Sequence, residues 1–149
     1  MTQYVDASIL AAYDCPEPLS EQAEQHLRRL RPPVISWLTD VELHPALAKK
    51  TRREELSAAD ADRVRNLFRT HSSQDMYEIM PIEQEAYIQA RQWMATKETA
   101  LRTLDALRLA VAYRRDLPAL TADQGMAEAG GELGIDVILV RAEGTGDAD

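Results

Sequence analysis

The feature that most constrains this chain is an order: short β-branched or aromatic segments, each running directly into the start of a helix. Gln3-Tyr4-Val5 reads as a strand ending at Asp6, and Ser8 to Asp14 as the helix after it. Cys15-Pro16-Glu17-Pro18 interrupts the pattern, because proline cannot sit in a helix interior. Leu19 to Leu30 resumes it with Ser20 as N-cap, and Arg31-Pro32-Pro33 stops it. Val34 to Leu38 is the second strand. It is followed at once by Thr39-Asp40-Val41-Glu42, which has capping-box spacing, and by a helix through Leu43, Leu47 and Ala48 to the basic run Lys49–Arg53. Ser57-Ala58-Ala59-Asp60 opens another helix with Val64, Leu67 and Phe68 as its stripe. Met76 to Ile82 is a third strand and Glu83 to Ala95 a helix. Thr103 to Arg115 is the strongest helix, with Leu104, Leu107, Ala110 and Val111 on one face. Pro118 to Thr121 is a short fourth strand abutting Asp123, followed by a helix to Ala129 that Gly130-Gly131 ends. Asp136 to Val140 is the last strand. This alternation predicts an α/β fold, a mainly parallel sheet with helices on both faces. Residues 1–140 form the expected domain, and 141–149 a flexible acidic tail.

Composition narrows the class. A chain of 149 residues suits one domain, and 45% hydrophobic content supplies a core. The single Cys15 excludes an internal disulfide framework and fits a reducing compartment. No apolar run approaches the ~18 residues that span a bilayer. Met1 to Asp6 lacks the basic-then-apolar pattern of a signal peptide. The expectation is a cytoplasmic protein with no membrane partner. The net charge of −8 argues against a nucleic-acid surface, which is usually basic, unless the acids are gathered to hold a cation.

Their placement therefore matters. Ligands of open parallel sheets bind at the carboxyl ends of the strands. Asp6 follows the first strand, Glu42 lies one helical turn after the second, and Asp123 follows the fourth. Asp105 opens the helix before the fourth strand, and reaches the same edge only if residues 95–102 bring it there. Each acid also has a purely structural reading as a helix cap or a complement to the helix dipole. Four acids on one edge would repel one another without a cation, and oxygen donors of this kind suit Mg²⁺ or Mn²⁺.

These segments resemble the motifs of PIN domains. Val5-Asp6-Ala7-Ser8 resembles the opening D-x-S, Thr39-Asp40-Val41-Glu42 the Ser/Thr-x-x-Glu at a helix start, Thr103-Leu104-Asp105 the third motif, and Leu120-Thr121-Ala122-Asp123 the fourth. Gly134-Ile135-Asp136-Val137 resembles the closing strand, so the likeness runs in order from about Tyr4 to Val140 and is greatest to VapC-type toxins of bacterial toxin–antitoxin pairs. The resemblance implies a three-layer α/β/α sandwich and an Mg²⁺- or Mn²⁺-dependent ribonuclease that cleaves RNA with a metal-activated water. It also implies a homodimer and a cognate VapB-type antitoxin. By motif, Asp6, Glu42, Asp105 and Asp123 form the catalytic acidic site. Asp6, Asp105 and Asp123 would be metal ligands, and Glu42 would orient a water or second ion. Ser8 and Thr121 would be supporting hydroxyls. Arg108 departs from the His common in relatives, at a position open to substrate or antitoxin contacts. On this reading the tail beyond Val140, with three acids and one arginine, carries −2 of the −8 and the four site acids −4.

Other features are weighed beside it. Lys49, Lys50, Arg52 and Arg53 read either as a solvated helix end or as a phosphate contact beside the acidic edge. His26, His44 and His71 lack zinc spacing. Trp37 and Trp93 are expected in the core, and Cys15 as an ordinary small side chain. A response-regulator receiver would need adjacent acids after the first strand, an Asp after the third and a late Lys. Asp6 stands singly, Ile82 follows the third strand and no Lys lies beyond Lys97. A non-catalytic binding or assembly domain that retains the acidic edge stays open.

Overall fold

The alternation read from the sequence becomes one sheet flanked by two helical layers in the computed structural model, which describes residues 1–96 and 101–142. The elements are β1 (Tyr4–Val5), α1 (Ala7–Asp14), α2 (Ser20–Arg28), β2 (Val34–Ser36), α3 (Trp37–Arg52) and α4 (Ala58–Ser73). They continue with β3 (Glu78–Met80), α5 (Gln84–Thr96), α6 (Thr103–Arg114), β4 (Ala119–Thr121), α7 (Gln124–Glu132) and β5 (Val137–Leu139). All pairings are parallel, in the order β3-β2-β1-β4-β5. Tyr4 pairs with both Val34 and Ala119, so β1 is central and the order reverses between it and β4.

Side chains alternate across the strands, as the two-residue period requires. Val5, Ile35 and Leu120 face one layer with Ile9, Leu10, Leu43 and Leu47 of α1 and α3. Tyr4, Val34 and Ala119 face the other with Trp93, Leu109 and Met126. Ala106, Ala110 and Ala112 are fully buried positions of α6, where small side chains let it pack closely. No helix among the described residues is long and apolar enough to cross a membrane. Of the expected acidic tail only 141 and 142 are described; the rest lies outside the described residues.

Several local expectations are corrected. The second strand ends at Ser36, and Trp37 is the first helical residue of α3, 58% exposed rather than in the core. Trp93 is buried as expected and packs edge-on against Tyr113. The reciprocal bond at the α3 start runs from the Ser36 N–H to Thr39 Oγ1 at 3.1 Å, one turn earlier than the expected Thr39–Glu42 pair. This leaves Glu42 free for another task. The third strand is three residues, Glu78–Met80, because only these pair with β2.

Gly130 and Gly131 do not end their helix. α7 continues to Glu132, and the left-handed position is Gly134, at φ +73°. The two glycines differ in their surroundings. A Cβ on Gly130 would meet Val137 Cγ2 at 2.3 Å, whereas one on Gly131 meets nothing within 4 Å. Val137 is stiff at χ1 and cannot turn aside cheaply. Gly130→Ala is therefore expected to destabilise by about 1–3 kcal/mol. Gly131→Ala should stabilise by about 0.5–1 kcal/mol through helix propensity alone. Urea midpoints measure both, and shifts of the same sign would refute the packing argument.

Asp14, at the end of α1, is a second feature the sequence does not reveal. Its Oδ2 is buried without a partner, and burial pushes its carboxyl up to about 6. The folded state therefore holds this proton more tightly than the unfolded chain. Stability falls as pH rises from the ordinary carboxylate range, ~4, through about 6, and the penalty persists above that. Asp14→Asn is expected to stabilise the protein by about 1–2 kcal/mol at pH 8, partial solvent access discounted, and to have little effect at pH 4. Denaturation at both pH values checks this. An equal shift at each would contradict it.

Candidate active site at the carboxyl edge of the sheet

Asp6 is the residue that leaves β1, and the start of α1 sets its geometry. It is the N-cap of α1, with Oδ2 accepting from the Ser8 N–H at 3.4 Å. The same oxygen accepts from Ser8 Oγ at 2.6 Å and from Thr121 Oγ1, at the end of β4, at 2.9 Å. Ser8 Oγ in turn accepts from the Ala122 N–H, and Thr121 Oγ1 from the Asp123 N–H. The capping role and the site role of Asp6 thus coexist, with Oδ2 fixed by the fold and Oδ1 facing Arg108. The expected hydroxyls, Ser8 and Thr121, are the groups that fix it.

Glu42 projects from the second turn of α3 and is 8% exposed. Beneath it the Tyr4 hydroxyl lies 2.8 Å from Ser36 Oγ and 3.4 Å from Thr39 Oγ1, tying β1 to the start of α3. Burial raises the Tyr4 pKa, against the hydrogen bonds from Ser36 and Thr39, which lower it. Asp105 stands in the first turn of α6, whose N-terminus does come to this edge. Asp123 is the N-cap of α7, exposed, with Oδ1 accepting from Gly125 N–H at 2.9 Å and Met126 N–H at 3.4 Å. A cleft of about 310 Å³ is lined by Arg102, Thr103, Leu104, Asp105, Arg108 and Asp123.

Arg108 joins the acids. Its Nε donates to Glu42 Oε1 at 2.9 Å and its Nη2 donates to Glu42 Oε2, a two-pronged pair. Nη1 donates to Asp105 Oδ1 at 2.5 Å, and Nε lies 3.5 Å from Asp6 Oδ1. Burial works against the charge on Arg108, but the Glu42 hydrogen bond and the charges of Asp6, Glu42 and Asp105 outweigh it and hold its pKa above the usual arginine value. Burial pushes the Asp105 carboxyl up; Arg108 pulls it down, while the charges of Asp123 and Asp6 add to the rise. None of the site's oxygens is among the buried side-chain atoms left without a partner.

The donors suit a hard divalent cation in kind, since all are carboxylate oxygens. Their present arrangement does not fit one. Among the described residues no group of three or more His, Cys, Asp or Glu side chains is placed to hold a metal ion, and Arg108 fills the space between the acids.

Sequence reasoning placed the four acids at this edge and treated Arg108 only as a departure in contacts. The missed signal was its spacing: Asp105 and Arg108 are i, i+3 on one helix, so the cation shares the acid's face. The basic run is the opposite case. Lys50 pairs with Glu17, while Lys49, Arg52 and Arg53 are exposed at the far end of α3. At 1.5 Å per residue that end lies about 12 Å along the helix from Glu42, so the run is not beside the acidic edge.

The family model described as PIN domain matches residues 3–132. No curated protein matches the chain. Among solved structures, a toxin–antitoxin complex from Klebsiella pneumoniae is similar at 23% identity over 93% of this chain and 98% of that one, with TM-score 0.61. VapC20 from Mycobacterium tuberculosis, described as a sarcin-ricin loop cleaving toxin, is similar at 18% identity over 87% of this chain and 95% of its own, with TM-score 0.63. VapBC2 from Rickettsia felis, bound to a promoter DNA fragment, is similar at 13% identity over 95% of this chain and 100% of its own, with TM-score 0.68. With a domain model covering most of its length and a parallel sheet of matching architecture, the chain belongs to the PIN domain family.

Proposed function

We propose that this chain is a metal-dependent endoribonuclease, the toxin of a type II toxin–antitoxin pair, acting as a homodimer and restrained by a cognate VapB-type antitoxin. The observation that carries the reading is the convergence of Asp6, Glu42, Asp105 and Asp123 on the carboxyl edge of a PIN domain, at the point where the strand order reverses. The toxin–antitoxin relatives support the antitoxin partner, and the cleaving activity named for one of them supports RNA as substrate.

Asp6, Asp105 and Asp123 are the side chains that would hold Mg²⁺ or Mn²⁺. What such an ion contributes when bound is a more acidic water and charge neutralisation at the phosphodiester. The chain's own residues do the positioning. Ser8 and Thr121 lock one oxygen of Asp6 and leave the other toward Arg108. The α7 amides hold Asp123 Oδ1. Glu42 would orient the attacking water, a task that needs at least one of its oxygens released from Arg108.

One observation favours a second reading, a PIN-like binding or assembly domain without catalysis: Arg108 already pairs with three of the four acids. Incubation of the purified chain with RNA separates the two. Internal cleavage with Mg²⁺ or Mn²⁺ that EDTA abolishes is the expected result, and intact RNA under every metal condition would leave the non-catalytic reading standing.

A further inference from the structure

The acidic edge holds a cation of its own. Arg108 is a single side chain, only 16% exposed, that reaches carboxylates at the start of α1, on α3 and on its own helix α6. Its fork takes both oxygens of Glu42. The Asp6 oxygen not held by Ser8 and Thr121 is the one that faces Arg108, and Asp105 Oδ1 accepts from it. The lone pairs an incoming cation would need are thus those the guanidinium uses. Three carboxylates and one guanidinium carry a formal charge of −2, and without Arg108 the same three carry −3.

We propose that Arg108 is a built-in counterion: it occupies the cation position of the acidic edge and must leave before a divalent metal ion can bind. Resting on the reading of this edge as a metal site, the inference adds that the metal affinity of this chain is set by an internal competition. A ligand that binds only the minor, opened state has its apparent affinity reduced by the population of that state. The cleft beside Arg108, toward Arg102 and Thr103, offers the displaced side chain a place. There its planar fork would be released from carboxylates and available to an RNA phosphate.

The test is Mn²⁺ titration by calorimetry of the EDTA-treated full chain, wild type against Arg108→Gln. The variant, confirmed folded by circular dichroism, is expected to bind Mn²⁺ at least about tenfold more tightly, because the opening cost is removed. Equal or weaker binding by the folded variant overturns the inference. A measurement on the wild type alone keeps the test open should the variant misfold: the Nε–Hε NMR signal of Arg108. It is expected to be protected from exchange without metal and to move to the free-arginine position as Mg²⁺ saturates. A signal unmoved at saturating Mg²⁺ overturns the inference. The two levels fail differently. If neither protein binds Mn²⁺, the metal reading and this inference fall together; if both bind equally, only the counterion falls.

Discussion

Asp6→Asn is expected to slow metal-dependent RNA cleavage by at least about a thousandfold, roughly 4 kcal/mol of barrier, while leaving the fold intact. The substitution separates two roles that one side chain combines. Asparagine keeps an oxygen that can cap α1 and accept from Ser8 and Thr121, so the hydrogen bonds that fix the position survive. What it loses is the negative charge at the acidic edge, the part that chemistry at a phosphodiester requires. Asp105→Asn removes the charge contributed by α6 and is expected to act in the same direction. Asp136→Asn is the matched control: Asp136 is exposed and precedes β5, at the opposite edge of the sheet. Initial rates on one defined RNA oligonucleotide decide the matter. Wild-type rates in Asp6→Asn would remove it from catalysis.

Arg108→Ala is expected to be the most destabilising of the site substitutions in metal-free buffer, at about 3 kcal/mol, with Asp105→Asn within about 1 kcal/mol of wild type. The asymmetry follows from the charges. Deleting the cation leaves three shielded carboxylates facing one another, whereas neutralising Asp105 leaves Arg108 still paired with Glu42 and near Asp6. A buried charge that loses its partner keeps its desolvation cost and gains nothing in return. Urea denaturation in EDTA measures the difference, independently of any activity. If Arg108→Ala is as stable as the wild type, the acids need no counterion and the bonds seen at Arg108 contribute little.

Much of this architecture is legible in the sequence because it rests on local patterns. Val34-Ile35 and Ala119-Leu120 are apolar at consecutive positions because both faces of a parallel strand are covered. The expected homodimer has no such local signature, and its test is the mass of the protein in solution. Boundaries were less legible. Trp37 looks like a strand residue by type, yet Ser36 already starts the helix, and side-chain character alone does not say which neighbour a tryptophan meets. Gly130-Gly131 looks like a stop by composition. Only the approach of Val137 shows that one of the pair is there for room inside a continuing helix.

The sequence by itself determined the strand-then-helix order, and through it which acids leave the strands at the carboxyl edge, because such patterns have periods of two to four residues and need no distant information. Tertiary structure decided that Asp6, Glu42 and Asp105 meet an arginine. Arg108 and Glu42 are 66 positions apart, and Asp6 and Thr121 are 115 apart. The first contact exists because α6 returns its first turns to the edge where β1, β2 and β4 end, and the second because β1 pairs with β4. Charge pairing at a shielded site is a property of the assembled groups, and no segment of the chain carries it alone.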